Sequence, residues 1–221
     1  DIAKEQIFYK KKIKKKKTNS KNKKKNYKFK KKPLKKNKKV EEYVLLDILF
    51  EDVNYVNIIS LPIQSDFVPQ SDKPLQVNVP SLEDILGDKL TAFAPNTTGI
   101  PYFKKEDSMS MEIIKQLYDI GNLFDVAQDL DIIKTTFYQF AKTEIAYRNS
   151  EEITESDVLE DIYQTALSIV SRGTDGNGNF DELQKGILRI KPFIFSEVYH
   201  IEKAIAHASK AAYLSALIQH D

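Results

Sequence analysis

The chain has no cysteine and no tryptophan, only three histidines and only seven glycines in 221 residues. Without cysteine, disulfides and thiolate zinc sites are excluded, and the cytoplasm is the expected compartment. Few histidines leave little for a transition-metal centre. His200 and His207 stand seven apart on one expected helix face, two ligands without a third. The glycines form no phosphate-binding loop of the P-loop or dinucleotide type. No apolar run is long enough for a membrane-spanning helix, and no secretory signal opens the chain, so no membrane partner is expected. The chain starts on Asp1 rather than Met, which reads as a processed or truncated start.

What is present is charge, unevenly spread. Residues 1–40 hold 20 Lys against Asp1 and Glu5, a balance of +18; the remaining residues hold 14 Lys and Arg against 30 acids, a balance of −16. The Lys/Asn-rich opening has two readings: a solvated segment of repelling charges, or a surface for nucleic acid with Tyr27 and Phe29 available for stacking. Its sparse apolar residues, Ile13, Tyr27, Phe29 and Leu34, leave room for one or two exposed strands.

From Val40 the texture changes. The run Tyr43 to Phe50 is rich in strand formers and reads as a buried strand interrupted by one carboxylate, Asp47. An unpaired carboxylate in a core strand is costly, so Asp47 is expected to face a cation, a metal or a cleft. Further strands are expected over Tyr55 to Pro62 and Leu75 to Val79, with prolines at 62, 69, 74 and 80 punctuating the loops.

Ser81, with Asp84 three residues on, has the pattern of a capping box and starts a helix that Pro95 ends. Leu82, Ile85, Leu86, Leu90 and Phe93 form its apolar stripe. At about 100° per residue from Leu82, Lys89 falls at roughly 340°, between Ile85 at about 300° and Phe93 at about 20°. A lysine there either snorkels to the surface or lies in a cleft between helix and sheet, binding a phosphate or a carboxylate, with Asp47 a candidate neighbour. A second helix is expected over about 110–127, and others near 130–147, 155–172 and 196–219. Thr154 with Asp157, and Ser196, serve as starts, and Gly173 as a stop. Asp119 falls on the polar face of its helix, where periodicity alone makes it a solvated acid. The run from Asp175 to Asn179 imitates the opening of a calcium loop, but Phe180 and Gly186 stand where that motif needs Gly and Glu, so a turn between helices is expected.

Pro80 through Phe93, a helix bearing Lys89 followed closely by Ala92, resembles the third motif of the AbiEii/AbiGii nucleotidyltransferase toxins, within the polymerase-β-like superfamily. Lys115-Gln116-Leu117-Tyr118-Asp119-Ile120 resembles the fourth motif, usually written R-D-x-Y-D-L. Ala94 to Pro101 is similar to the loop of one branch. The likeness covers residues 40–130 well and the helical remainder only in style.

The resemblance implies transfer of a nucleoside monophosphate from an NTP to an RNA acceptor, with tRNA the first candidate. It also implies Mg2+ as cofactor and toxicity restrained by a cognate antitoxin in a phage-defence (abortive-infection) setting. By position, Lys89 would contact the triphosphate, Asp119 would organise the site, and Lys115 would add a cation beside the nucleotide. Asp47 would be a strand carboxylate for the metal, and Asp1 a second one if Asp1-Ile2-Ala3 is the tail of the Asp-x-Asp strand of the first motif, which would otherwise precede this chain. Lys115 replaces the usual Arg and Gln116 the usual Asp, so local ion pairing is expected to differ. The alternative is a catalytically degenerate relative that binds RNA or protein. The expected architecture is α+β: a partial nucleotidyltransferase-type mixed sheet with helices over 1–128, then a C-terminal helical bundle over 129–221.

Overall fold

In the computed structural model, residues 25–31, 42–48, 54–64, 72–148 and 152–220 are described. The chain is α+β and divides into two units, Asp1–Val53 and Asn54–Asp221. In the first, β1 (Lys25–Lys31) pairs antiparallel with β2 (Glu42–Ile48), with Asn26 opposite Asp47 and Tyr27 opposite Leu46. A strand at the expected apolar run and one around Tyr27 and Phe29 are thus both present. Asp1, Ile13 and Leu34 lie outside the described residues.

The second unit opens with an antiparallel hairpin of β3 (Ile58–Pro62) and β4 (Gln76–Pro80). The strand expected from Tyr55 begins three residues later for a local reason. The backbone N–H groups of Val56 and Asn57 donate to the Asp84 carboxylate, at 2.7 and 2.9 Å, instead of to a strand ladder.

Next comes α1 (Leu82–Ala92), where Ser81 caps the helix by accepting from the Asp84 N–H at 3.1 Å. The expected capping box is only half made. The Asp84 side chain accepts from the Ser81 hydroxyl at 2.7 Å and from Thr136 at 2.6 Å, while the Ser81 N–H goes to the Asn57 carbonyl. Asp84 is fully buried, and burial alone would raise its pKa. Its hydrogen bonds from Thr136, Ser81, Asn57 and Val56 outweigh that and hold it below the ordinary value.

A short hairpin of β5 (Phe103–Lys104) and β6 (Asp107–Ser108) leads into α2 (Ser110–Phe124). Then follow α3 (Leu130–Arg148), α4 (Glu155–Val170), α5 (Phe180–Ile190), a 3-10 turn (Lys191–Phe193) and α6 (Ile201–His220). Thr154 and Asp157 form the full reciprocal capping box of α4, as their spacing predicts. Gly173, at φ +84°, follows the end of that helix.

Two helix expectations need correction. The sequence reading has no helix over 180–190, although Asn179 caps α5 by accepting from Glu182 N–H and Leu183, Ile187 and Ile190 follow at helical spacing. The last helix starts at Ile201 rather than near Ser196, whose hydroxyl instead meets the Tyr118 hydroxyl at 3.1 Å.

Leu86 and Leu90 of α1 and Phe93 at its C-terminal cap pack with Ile113, Ile114, Leu117 and Ile120 of α2 and Phe137 of α3 in one core, all fully buried. Each such side chain contributes about 1.5–3 kcal/mol relative to exposure. Close approach is enforced at two glycines. A Cβ on Gly87 would stand 2.6 Å from the Ile133 carbonyl oxygen of α3, and one on Gly121 would stand 2.1 Å from the His207 ring of α6. These contacts seat α1 and α2, the two helices that carry the candidate site.

Candidate functional site

Because α3 buries the Gly87 side of α1, the helix turns its buried face away from Leu82, which is 44% exposed. Lys89 therefore sits at the margin of the core rather than at the middle of the buried face. Its ammonium reaches α2, where it lies 2.9 Å from Asp119 Oδ2 and donates to Gln116 Oε1 at 3.1 Å. Gln116 and Asp119 are neighbours at i and i+3 on the helix surface, so one ammonium bridges both. A carboxylate partner of Lys89 is thus Asp119, supplied by α2. Asp119, solvated by periodicity alone, is one half of an ion pair.

The Lys89 and Asp119 side chains are 29% and 41% exposed. A pair so open to water contributes about 0–1 kcal/mol to stability, so it is no structural clamp. An ammonium has three N–H donors, and two are taken by the described residues, leaving one for an incoming oxygen. Gln116 in place of a carboxylate keeps the acceptor and drops the charge. Lys89 thus has one anionic partner among the described residues rather than two.

Lys115, one helical turn before Asp119, holds its ammonium 5.4 Å from the centre of the Phe193 ring, and no carboxylate among the described residues pairs with it. Asp88 accepts from the Tyr55 hydroxyl at 3.1 Å, and its backbone carbonyl accepts from Thr91. Asp47 stands in β2 of the first unit, opposite Asn26, and Asp1 lies outside the described residues.

The loop Ala94 to Pro101 is fixed from two sides. Asp161, buried in α4, accepts from the Asn96 and Thr97 backbone N–H groups at 2.8 and 2.9 Å and from both of their side chains. Arg148 donates to the carbonyls of Thr98 and Gly99. The loop connecting α1 to the approach of α2 is thereby tied to α4 and to the end of α3.

No group of three His, Asp or Glu side chains that could hold a metal ion gathers among the described residues. His200 pairs with Glu202 at 2.7 Å, while His207 is buried against Gly121 and the Tyr199 hydroxyl. Asp175 to Asn179 form the turn that ends in the α5 cap. No helix among the described residues is long and apolar enough to cross a membrane.

A family model described as "Nucleotidyl transferase AbiEii toxin, Type IV TA system" matches residues 2–187. The match takes in both units and runs into α5, well beyond the stretch over which the motifs themselves are recognisable. No curated protein and no solved structure matches the chain.

Proposed function

The chain belongs to the AbiEii nucleotidyl transferase toxin family of type IV toxin–antitoxin systems, and from that premise we propose that it moves a nucleoside monophosphate from an NTP to an RNA, tRNA being the first acceptor to test. The acceptor hydroxyl attacks the α-phosphorus, the bond to the β-phosphate breaks, pyrophosphate leaves, and the hydroxyl proton passes to a base. The protein's task in such a reaction is chiefly placement and charge stabilisation.

The observation that carries this reading is the half-exposed Lys89–Asp119 ion pair, 2.9 Å long, which joins two resembled motifs across α1 and α2. In the proposal Lys89 turns its remaining N–H donor to a phosphate oxygen of the NTP. Asp119 and Gln116 hold the ammonium in place while it does so. Lys115 supplies a second cation one turn away. Mg2+ is part of the proposal, with Asp47 and Asp1 as the carboxylates that would hold it. When bound, the ion would neutralise charge on the triphosphate. The Lys-rich opening is proposed as the RNA-facing surface, the reaction as cytoplasmic, and a cognate antitoxin as the restraining partner.

The test is incorporation of each labelled NTP into total tRNA by the wild-type protein and by Lys89→Ala and Asp119→Ala. Magnesium-dependent labelling, reduced at least about 100-fold by either substitution, is the expected result. RNA binding without labelling by any nucleotide would replace the enzyme with a degenerate binding protein. For the Lys-rich surface, a nearly flat salt dependence of RNA binding would remove it from the proposal.

A further inference from the structure

The stretch from Lys191 to His200, between α5 and α6, runs across the flank of α2 and leaves large apolar side chains in water. Phe193 is 58% exposed and Phe195 is 89% exposed. An exposed phenylalanine is unremarkable alone. Here the stretch is tied to α2 at three points. Lys115 lies over the Phe193 ring at 5.4 Å, Ser196 meets Tyr118 at 3.1 Å, and the buried Tyr199 packs edge-on against Tyr118 with centroids 5.4 Å apart.

The geometry of α2 places this strap beside the candidate site. Counting about 100° per residue from Lys115, Asp119 falls at roughly 40°, Gln116 at about 100° and Tyr118 at about 300°. Gln116 and Asp119 meet Lys89 of α1, while Tyr118 and Lys115 meet the strap. Asp119 thus stands between the two, and Lys115 precedes it by one turn, about 6 Å of axial rise. The cation over Phe193 has no carboxylate partner among the described residues.

An exposed aromatic ring with an ammonium at one face, one helical turn from the proposed phosphate contact, matches the recognition chemistry of a nucleotide. The ring offers a stacking surface that any base can use, and the ammonium offers attraction to the adjoining phosphate. We propose that Phe193, with Lys115, is the platform on which a nucleobase stacks while its phosphate is held toward Lys89 and Asp119. This rests on the nucleotidyl-transfer reading and adds a positioning surface to it. Two sources supply the same chemistry: the base of the NTP, and the terminal base of the RNA acceptor. Phe195, two residues along, would offer a second ring to the RNA and not to a mononucleotide.

Fluorescence of 2-aminopurine, which stacking quenches, reads the contact directly. The probes are 2-aminopurine riboside triphosphate and a short single-stranded oligoribonucleotide ending 3′ in 2-aminopurine, each titrated with the protein. At least one probe is expected to be quenched. Phe193→Ala should remove the quenching and weaken binding roughly tenfold, Phe193→Trp should keep both, and Lys115→Ala should weaken binding while leaving quenching at saturation. Quenching of the triphosphate alone assigns the platform to the donor base. Quenching of the oligoribonucleotide, sensitive also to Phe195→Ala, assigns it to the acceptor.

Quenching and affinity unchanged in Phe193→Ala would overturn the proposal, as would transfer activity in a protein that quenches neither probe. Phe193-dependent quenching without any transfer would leave the platform standing and remove the reaction. The two readings therefore fail separately.

Discussion

Asp84 and Lys89 stand five residues apart on one helix, and their surroundings are opposite. Asp84 is fully buried and accepts from four donors drawn from the β3 approach, the helix cap and α3. Lys89 is partly exposed and, among the described residues, has one carboxylate and one neutral acceptor for its three donors. A buried charge with every bond made is a fastener, because removing it orphans all its partners at once. An exposed pair with unused capacity contributes little to folding and is available for chemistry. The start of α1 is thus committed to structure, and its last turn is the part proposed to bind the nucleotide.

Substitutions separate the two ends. Asp84→Ala is expected to lose about 3–5 kcal/mol in urea unfolding, since Val56, Asn57, Ser81 and Thr136 are left with unmet donors. A loss below about 1 kcal/mol would erase the contrast. Gly121→Ala should cost about 1–3 kcal/mol, because the new methyl would be driven into the His207 ring and displace α2 from α6. A wild-type melting temperature for that variant would mean the seat of α2 is more forgiving than its geometry.

The pH dependence tests the same buried groups. Burial, with some help from Lys210, depresses the His207 pKa, so the folded protein holds this ring neutral. Below its ordinary value of about 6.5 the unfolded chain binds the proton first, and stability falls as pH drops through that range. Asp84 has a depressed pKa as well. Its contribution is present above about pH 4 and is lost as pH falls through its folded value. Urea midpoints from pH 8 to 5 should therefore decline in the wild type and flatten in His207→Gln. The smallest effect belongs to Lys89→Ala and Asp119→Ala, each expected within about 1 kcal/mol of wild type in stability.

Much of this was legible in the sequence where a local rule applied. Ser81 and Thr154 announced α1 and α4 because capping is settled within four residues. Lys89 could be singled out because a cation near an apolar stripe is anomalous whatever surrounds it. Its partner was not legible by periodicity, since Asp119 meets it only through the packing of α1 on α2, and the motif resemblance alone raised that residue. Asp84 looked like an ordinary cap residue because three of its donors, Val56, Asn57 and Thr136, come from residues 27 or more positions away in sequence, contacts that no local pattern encodes. The α5 helix is marked in the sequence only by the Asn179 cap and the spacing of Leu183, Ile187 and Ile190. Its period is pronounced, but it is only 11 residues long, carries Gly186 inside and directly follows a calcium-like run that reads as a turn.

The most direct test of the central claim is a double-mutant cycle on transfer. Rates of labelled NTP incorporation are compared for wild type, Lys89→Ala, Asp119→Ala and the double variant. If the two residues act as one unit, each single loss is at least about 100-fold and the double variant is no slower than the worse single. Losses that multiply, or a single variant at nearly the wild-type rate, would contradict a functional pair at the last turn of α1.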